Sequence, residues 1–166
     1  MTKKMRFVEI EEIHLPQVLK IYSYYVQNTC NTFHINEEVT LEELKTFIPF
    51  KHSRYKGYLF YEGEELIGYG YFSYFKKRAA YDRTAEISVY LKHGYTGHGT
   101  GKEALQYLEN RARQSEIKVM IATISAINEG SVKFFTRSGY ELCGRLREVG
   151  DKMGMILDVL LMQKML

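Results

Sequence analysis

The stretch LKHGYTGHGTGKEAL, residues 91 to 105, carries Gly94, Gly97, Gly99 and Gly101 and then runs into a helical pattern. Glycine at this density has an entropic cost, so the loop uses it for positive φ angles or for a close approach to its backbone. A Walker A loop would need glycine where Thr96 stands and Ser or Thr where Glu103 stands, so the Mg²⁺-binding hydroxyl is missing. A dinucleotide fingerprint counted from Gly97 and Gly99 would need its third glycine at Lys102. What remains is Gly97-x-Gly99-x-Gly101 between a strand and a helix. Successive amides there converge on an anion at the positive end of the helix, which suits a pyrophosphate, with Lys102 adding charge at the rim. The competing reading is a plain strand-to-helix turn.

Other reactive side chains are less organised. His93 and His98 flank the loop without metal-ligand spacing or a carboxylate partner in sequence, and read as solvated. Cys30 and Cys143 stand alone, so they read as two buried thiols in a reducing cytoplasm, with no metal site.

The elements that hold this loop follow from periodicity. MRFVEI alternates as a short strand. Leu15, Val18, Leu19, Tyr22, Tyr25 and Val26 recur at helical spacing, with Pro16 tolerated in the first turn. Thr40 and Glu43 have capping-box spacing, and Leu41, Leu44 and Ile48 share one face of the helix that follows. YKGYLFYEGEELIGYGYFSYF reads as a hairpin about Glu62-Gly63-Glu64, and AEISVYL (85–91) as the strand entering the loop. From Gly101 onward Ala104, Leu105, Leu108 and Ala112 form a helical stripe. KVMIATIS is nearly continuous in apolar residues, which predicts a strand buried on both faces. NEGSVKFFTRSGY predicts a short helix with Asn128 as N-cap and Gly139 as its stop, and two strands, YELCGRLRE and MGMILDVLLMQKM, close the chain. The order β-α-α-β-β-β-α-β-α-β-β predicts one mixed α/β sheet with helices on both faces.

The chain has 166 residues and 19.5 kDa, enough for one domain without repeat or linker. A net charge of +3, spread along the chain, argues against nucleic acid or a membrane surface as partner. No apolar run is long enough to span a bilayer, and the start MTKKMRF lacks a signal-peptide core, so a cytoplasmic location is expected.

VYLKHGYTGHGTGKEAL resembles the acetyl-CoA loop of the GNAT superfamily of N-acetyltransferases, with Gly99 and Gly101 in the family's glycine positions and Thr96 where Arg or Gln is usual. RAAYDRTAEISVYL, IYSYYVQNTCNTF, NEGSVKFFTRSGY and GDKMGMILDV fall in the order and spacing of its phosphinothricin acetyltransferase branch, so the likeness runs from about residue 6 to 160. The resemblance implies a single GNAT-type domain over the whole chain, its sheet mostly antiparallel, with a splayed central strand pair. Acetyl-CoA is the implied co-substrate, without a metal, and a small-molecule amine the implied acceptor; a homodimer is compatible with it. Pantetheine would lie against the backbone of Val89 and Leu91, the pyrophosphate on the amides of Gly97, His98, Gly99, Thr100, Gly101 and Lys102, and Asn128 near the pantetheine. Lys76, Arg78 and Tyr81 fall at the implied acceptor mouth, with Tyr25 and Phe33 as walls. Two cations there suit an acceptor bearing a carboxylate or phosphinate, as in phosphinothricin or methionine sulfoximine; a solvated basic hairpin end is the plainer alternative.

Acetyl transfer to nitrogen needs a neutral amine, while an α-amino group has a pKa of about 8 and a lysine amine about 10.4. A general base and an oxyanion donor are therefore required. Glu86 is the base candidate: a carboxylate in mid-strand is costly unless used or paired, and Tyr81, Asp82 and Glu86 match the family's Tyr-Asp-x-x-x-Glu segment. The amide of Val89 or Tyr90 is the oxyanion donor. Phe135 stands where the family carries Tyr or His, and it has no proton to donate to the leaving thiolate. Arg83 and Ile156 replace frequent tryptophans, so the acceptor pocket is reshaped. Acetylation of a protein N-terminus or lysine is the alternative within the class. A non-catalytic acyl-CoA-binding module and a nucleotide-binding protein are the alternatives outside it.

Overall fold

The computed structural model describes residues 4–35 and 39–166; the first three residues of the polar start lie outside them. Seven strands form one sheet in the order β1-β2-β3-β4-β5-β7-β6. They are β1 (Met5–Glu9), β2 (Lys56–Glu62), β3 (Glu65–Tyr74), β4 (Thr84–Leu91), β5 (Val119–Ser125), β6 (Glu141–Lys152) and β7 (Met155–Met165). Every neighbouring pair is antiparallel except β4 and β5, which are parallel and joined by a helix.

The helices divide between the two faces as the apolar spacing dictates. On one face α1 (Leu15–Asn28) and α2 (Leu41–Phe47) bury Val18, Ile21, Tyr22, Val26 and Leu44 against Leu59, Tyr69 and Tyr71 of the sheet. On the other, α3 (Thr100–Gln114) and α4 (Glu129–Arg137) bury Ala104, Leu105, Leu108 and Phe135 against Phe60, Ile87, Leu91, Met120 and Ile124. Thr40 caps α2 by accepting the amide of Glu43 at 3.2 Å, an arrangement worth about 1 kcal/mol. Glu109, on the buried side of α3, accepts from Lys164 Nζ at 2.8 Å and from the Tyr140 hydroxyl at 3.0 Å, which ties α3 to β7.

Two readings of burial need correction. Cys143 is exposed, because β6 is an edge strand with most side chains open to solvent; Cys30 is buried as expected. β5 is not covered on both faces: Thr123 is exposed. Its side chain shares the α1–α2 face, and β5 has begun to part from β4 at that point. The penultimate strand also continues to Lys152, beyond the YELCGRLRE segment.

Candidate active site

β4 and β5 begin as a regular parallel ladder, with Thr84, Ala85 and Glu86 opposite Val119, Met120 and Ile121. The ladder ends at Glu86 although β4 runs on to Leu91 and β5 to Ser125. On its other edge β4 stays paired with β3 as far as Leu91. The two central strands therefore splay from Glu86 onward.

Backbone direction along β4 decides which groups enter that gap. The amide of Lys92 donates to Ile67 of β3 at 2.8 Å, whereas the carbonyl of Arg83 accepts from Lys118 and Val119 on the β5 side. N–H and C=O of one strand residue point the same way and alternate along the chain. Ile87, Val89 and Leu91 thus direct their backbone groups into the gap, and Tyr90 directs its own toward β3. Tyr90 is corrected on this ground as an oxyanion donor, leaving Val89. The Leu91 carbonyl accepts from the Tyr25 hydroxyl, so this Tyr is tied to the β4 edge.

The glycine loop continues from the end of β4. Gly97 and Gly99 have φ of 87° and 85°, and a Cβ at either would meet no protein atom within 4 Å. The left-handed backbone accounts for glycine here, and both positions face open space. Among the described residues, the amides of residues 97 to 101 donate to no protein group. Two positions differ from the sequence reading. The Lys102 amide is committed to the Gly99 carbonyl at 3.1 Å, since α3 has already begun. A Cβ on Gly101 would meet Phe134 at 3.4 Å, so this glycine turns its side-chain position to the core and offers only its amide to the cradle. The free amides and the positive end of α3 fit a pyrophosphate.

Glu86 is half-buried on the face shared with Thr123. Burial pushes its pKa above the usual carboxylate range, opposed by a hydrogen bond with the Thr123 side chain. Burial also holds the Tyr71 phenol up at about 12, opposed by Ser88, and that of Tyr90 well above its ordinary value. Both phenols are neutral in the physiological range, so Glu86 is the ionisable group of this cluster. Periodicity in β5 is blind to Thr123 as its partner, because contact depends on the parallel register.

The remaining candidates fall in three places. Asn128 caps α4, with Oδ1 accepting the Ser131 amide at 3.2 Å and Nδ2 donating to Ser131 Oγ at 2.9 Å. Lys76, Arg78 and Tyr81 lie together on the β3–β4 connection, the two cations exposed and Lys76 Nζ 5.9 Å from the centre of the Tyr81 ring. Phe33 lies against Gly150 of β6. Phe135 is buried in the α3–α4 core, with its ring 4.9 Å from that of Tyr140. His93 Nδ1 pairs with the Tyr24 hydroxyl at 2.8 Å, while His98 is exposed on the loop. Among the described residues no cluster of His, Cys, Asp or Glu could hold a metal, and no helix is long and apolar enough to cross a membrane.

A splayed parallel pair followed by an amide-lined loop at a helix start is the arrangement that the family likeness implied. The model of the acetyltransferase (GNAT) domain matches residues 8–161. The chain belongs to the GNAT acetyltransferase family. An L-methionine sulfoximine/L-methionine sulfone acetyltransferase of Pseudomonas aeruginosa is 31% identical over 153 residues, covering 90% of this chain and 87% of its own. A phosphinothricin N-acetyltransferase of Streptomyces coelicolor is 29% identical, covering 89% and 88%. Among solved structures, a phosphinothricin acetyltransferase from Sinorhizobium meliloti in complex with acetyl-CoA superposes with a TM-score of 0.89 at 29% identity, over 100% of this chain and 89% of that one. A ribosomal-protein-alanine N-acetyltransferase from Brucella melitensis gives 0.86 at 30% identity, over 97% and 99%.

Proposed function

We propose that this GNAT enzyme transfers the acetyl group of acetyl-CoA to the primary amine of a small amino acid or amino-acid analogue. The observation that carries the reading is the position of Glu86. A carboxylate with a raised pKa stands where β4 and β5 part, three residues before the gap-facing amide of Val89. Glu86 accepts the proton of the incoming ammonium, directly or through water, and leaves a neutral nitrogen to attack the thioester carbonyl. The C–N bond forms, the nitrogen gives up its second proton to solvent as the tetrahedral intermediate collapses, the C–S bond breaks, and the Val89 amide stabilises the charge that develops on the carbonyl oxygen. Coenzyme A leaves as thiolate and takes a proton from solvent; Phe135 supplies none. The amides of residues 97 to 101 and the Asn128 region hold the cofactor end, with Lys102 at the rim. Lys76 and Arg78 receive the acceptor's anionic group at the mouth, beside Tyr81, and Phe33 forms a wall of the cleft. Tyr25 supports the Leu91 edge.

The substrate class comes from the relatives named for methionine sulfoximine and phosphinothricin. A cytoplasmic location and a homodimer belong to the same reading, and two free thiols suit a reducing compartment. The likeness to a ribosomal-protein-alanine acetyltransferase favours a protein N-terminus as the second reading.

An acceptor panel with acetyl-CoA, read by thiol release, tests both. Turnover is expected with amino acids and with methionine sulfoximine or phosphinothricin. Turnover confined to peptides with free N-termini would replace this reading with the second.

A further inference from the structure

Lys152 is a buried lysine at the tip of the β6–β7 hairpin, where Met153 and Gly154 both have positive φ and make the two-residue turn. A buried ammonium is costly unless its hydrogens are taken up. Among the described residues no carboxylate pairs with it. Its Nζ donates instead to the Thr32 carbonyl at 2.9 Å and to Thr32 Oγ1 at 3.1 Å. The same segment is held a second time: Cys30 is buried with Sγ 3.8 Å from the Lys152 carbonyl oxygen and 3.9 Å from Met153 Sδ.

Phe33 follows directly on Thr32. A Cβ at Gly150 would lie 3.4 Å from Phe33 Cδ1 and Cε1 and 3.4 Å from Cβ of Leu157, so Phe33 rests on the bare backbone of β6. Gly150 pairs with Leu157. Counting two residues at a time along β7, Leu157 shares a face with Leu161, which is opposite Thr123. Phe33 therefore sits on the sheet face that carries Thr123 and Glu86, on the far side of the splay from α1. Phe33 is still 40% exposed.

We propose that Lys152 is the positioning residue of a clamp that seats Phe33 as a wall of the acceptor cleft and that, with Gly150, sets the size of amine admitted. This rests on the acetyltransferase reading for its consequence in specificity, but not for the clamp itself. Both acceptors on Thr32 are uncharged, so the contact places the chain without a carboxylate. Burial lowers the pKa of Lys152, yet both contacts need only N–H donors, which the amine keeps in either protonation state.

The test uses the full chain with Cys143→Ser, which removes the exposed thiol. Lys152→Met fills similar space without the hydrogen bonds. Local release should let a small alkylating reagent reach Cys30 at least about tenfold faster than in the Lys152 protein. KM for the best amino-acid acceptor should rise about tenfold, the order for losing one charged hydrogen bond, with kcat and acetyl-CoA affinity little changed. Preference should also move toward bulkier amines. Thr32→Val, read in the same assays, serves if Lys152→Met does not fold. An unchanged labelling rate in a folded variant overturns the clamp. Faster labelling with unchanged KM and acceptor ranking overturns its part in specificity. If the protein acetylates no amine at all, the functional reading falls, while the labelling rate still decides the clamp.

Discussion

Glu86 and Ile121 are the last paired residues of the parallel ladder between β4 and β5. The half-buried carboxylate therefore sits at the vertex of the splay, with protein behind it and the gap ahead. This location, half-buried at the end of the ladder, raises its pKa and sets it beside the opening gap. Ala85 one step before is fully buried in the α3–α4 core, whereas Val89 three steps later directs its amide into the gap.

Glu86→Gln should keep acetyl-CoA affinity and lose about 10²–10⁴-fold in activity, the usual contribution of a general base. The rate of the unaltered enzyme should rise with pH through an apparent pKa above the ordinary carboxylate value, and the variant should lack that limb. Higher pH supplies neutral amine, so the deficit should narrow there. Near-normal kcat at every pH would remove Glu86 from the mechanism.

The same shift has a consequence for stability. A carboxylate whose folded pKa is raised binds its proton more tightly in the native state, so its burial disfavours folding once it is ionised. Glu86→Gln should raise the melting temperature at pH 7 to 8. The gain should shrink as pH falls through the raised pKa and vanish below the unfolded value of about 4.5. Melting curves across pH check the sign.

Much of this was legible before the fold. Periodicity in Leu41, Leu44 and Ile48, the Asn128 cap and the Gly139 stop are local signals, and each helix appears where they put it. Glu86 was visible as a charge inside an apolar strand. What failed depends on register and sheet order, which no local pattern encodes. Val89 and Tyr90 are equivalent as sequence, and only the pairing of Tyr69 with Tyr90 turns the latter's amide away from the gap. Thr123 and Cys143 read as buried because the splay and the sheet edge that expose them are tertiary facts. The Lys152–Thr32 contact joins residues far apart in sequence and had no signal there.

Acetyl-CoA should stabilise the protein to heat, while ATP with Mg²⁺ should not, because the loop offers amides to a pyrophosphate but no metal-binding hydroxyl. Ligand at about 100 times its Kd adds about 2.7 kcal/mol. A shift with ATP alone would favour the nucleotide reading.

The glycines of the loop should separate by role. Gly97→Val and Gly99→Val force a branched residue into left-handed backbone, at a cost of about 1–2 kcal/mol each, and should weaken acetyl-CoA binding at least about tenfold by turning converging amides aside. Gly101→Ala places its methyl against Phe134 at ordinary contact distance and should leave affinity little changed. Calorimetric titration of the three folded variants decides whether the loop is a cradle or only a turn.

Phe135→Tyr tests whether the missing acid can be restored where the family carries Tyr or His. Phe135 is 7% exposed and packs edge-on against Tyr140, whose own hydroxyl is already used on Glu109. A new hydroxyl there enters an apolar layer and leaves a polar group without a partner, at a cost of about 1–3 kcal/mol. The variant should melt lower, and kcat should not rise, since coenzyme A leaves as a thiolate that solvent can protonate. The pH–rate profile should likewise gain no falling limb from a new acid. If kcat rises and such a limb appears, the hydroxyl reaches the leaving sulfur, which would require α4 to turn Phe135 toward the gap when acetyl-CoA binds. Proton inventory on kcat would then separate the two routes, because a fixed phenol transfers one proton in the breaking of the C–S bond and protonation by solvent after departure leaves that step insensitive.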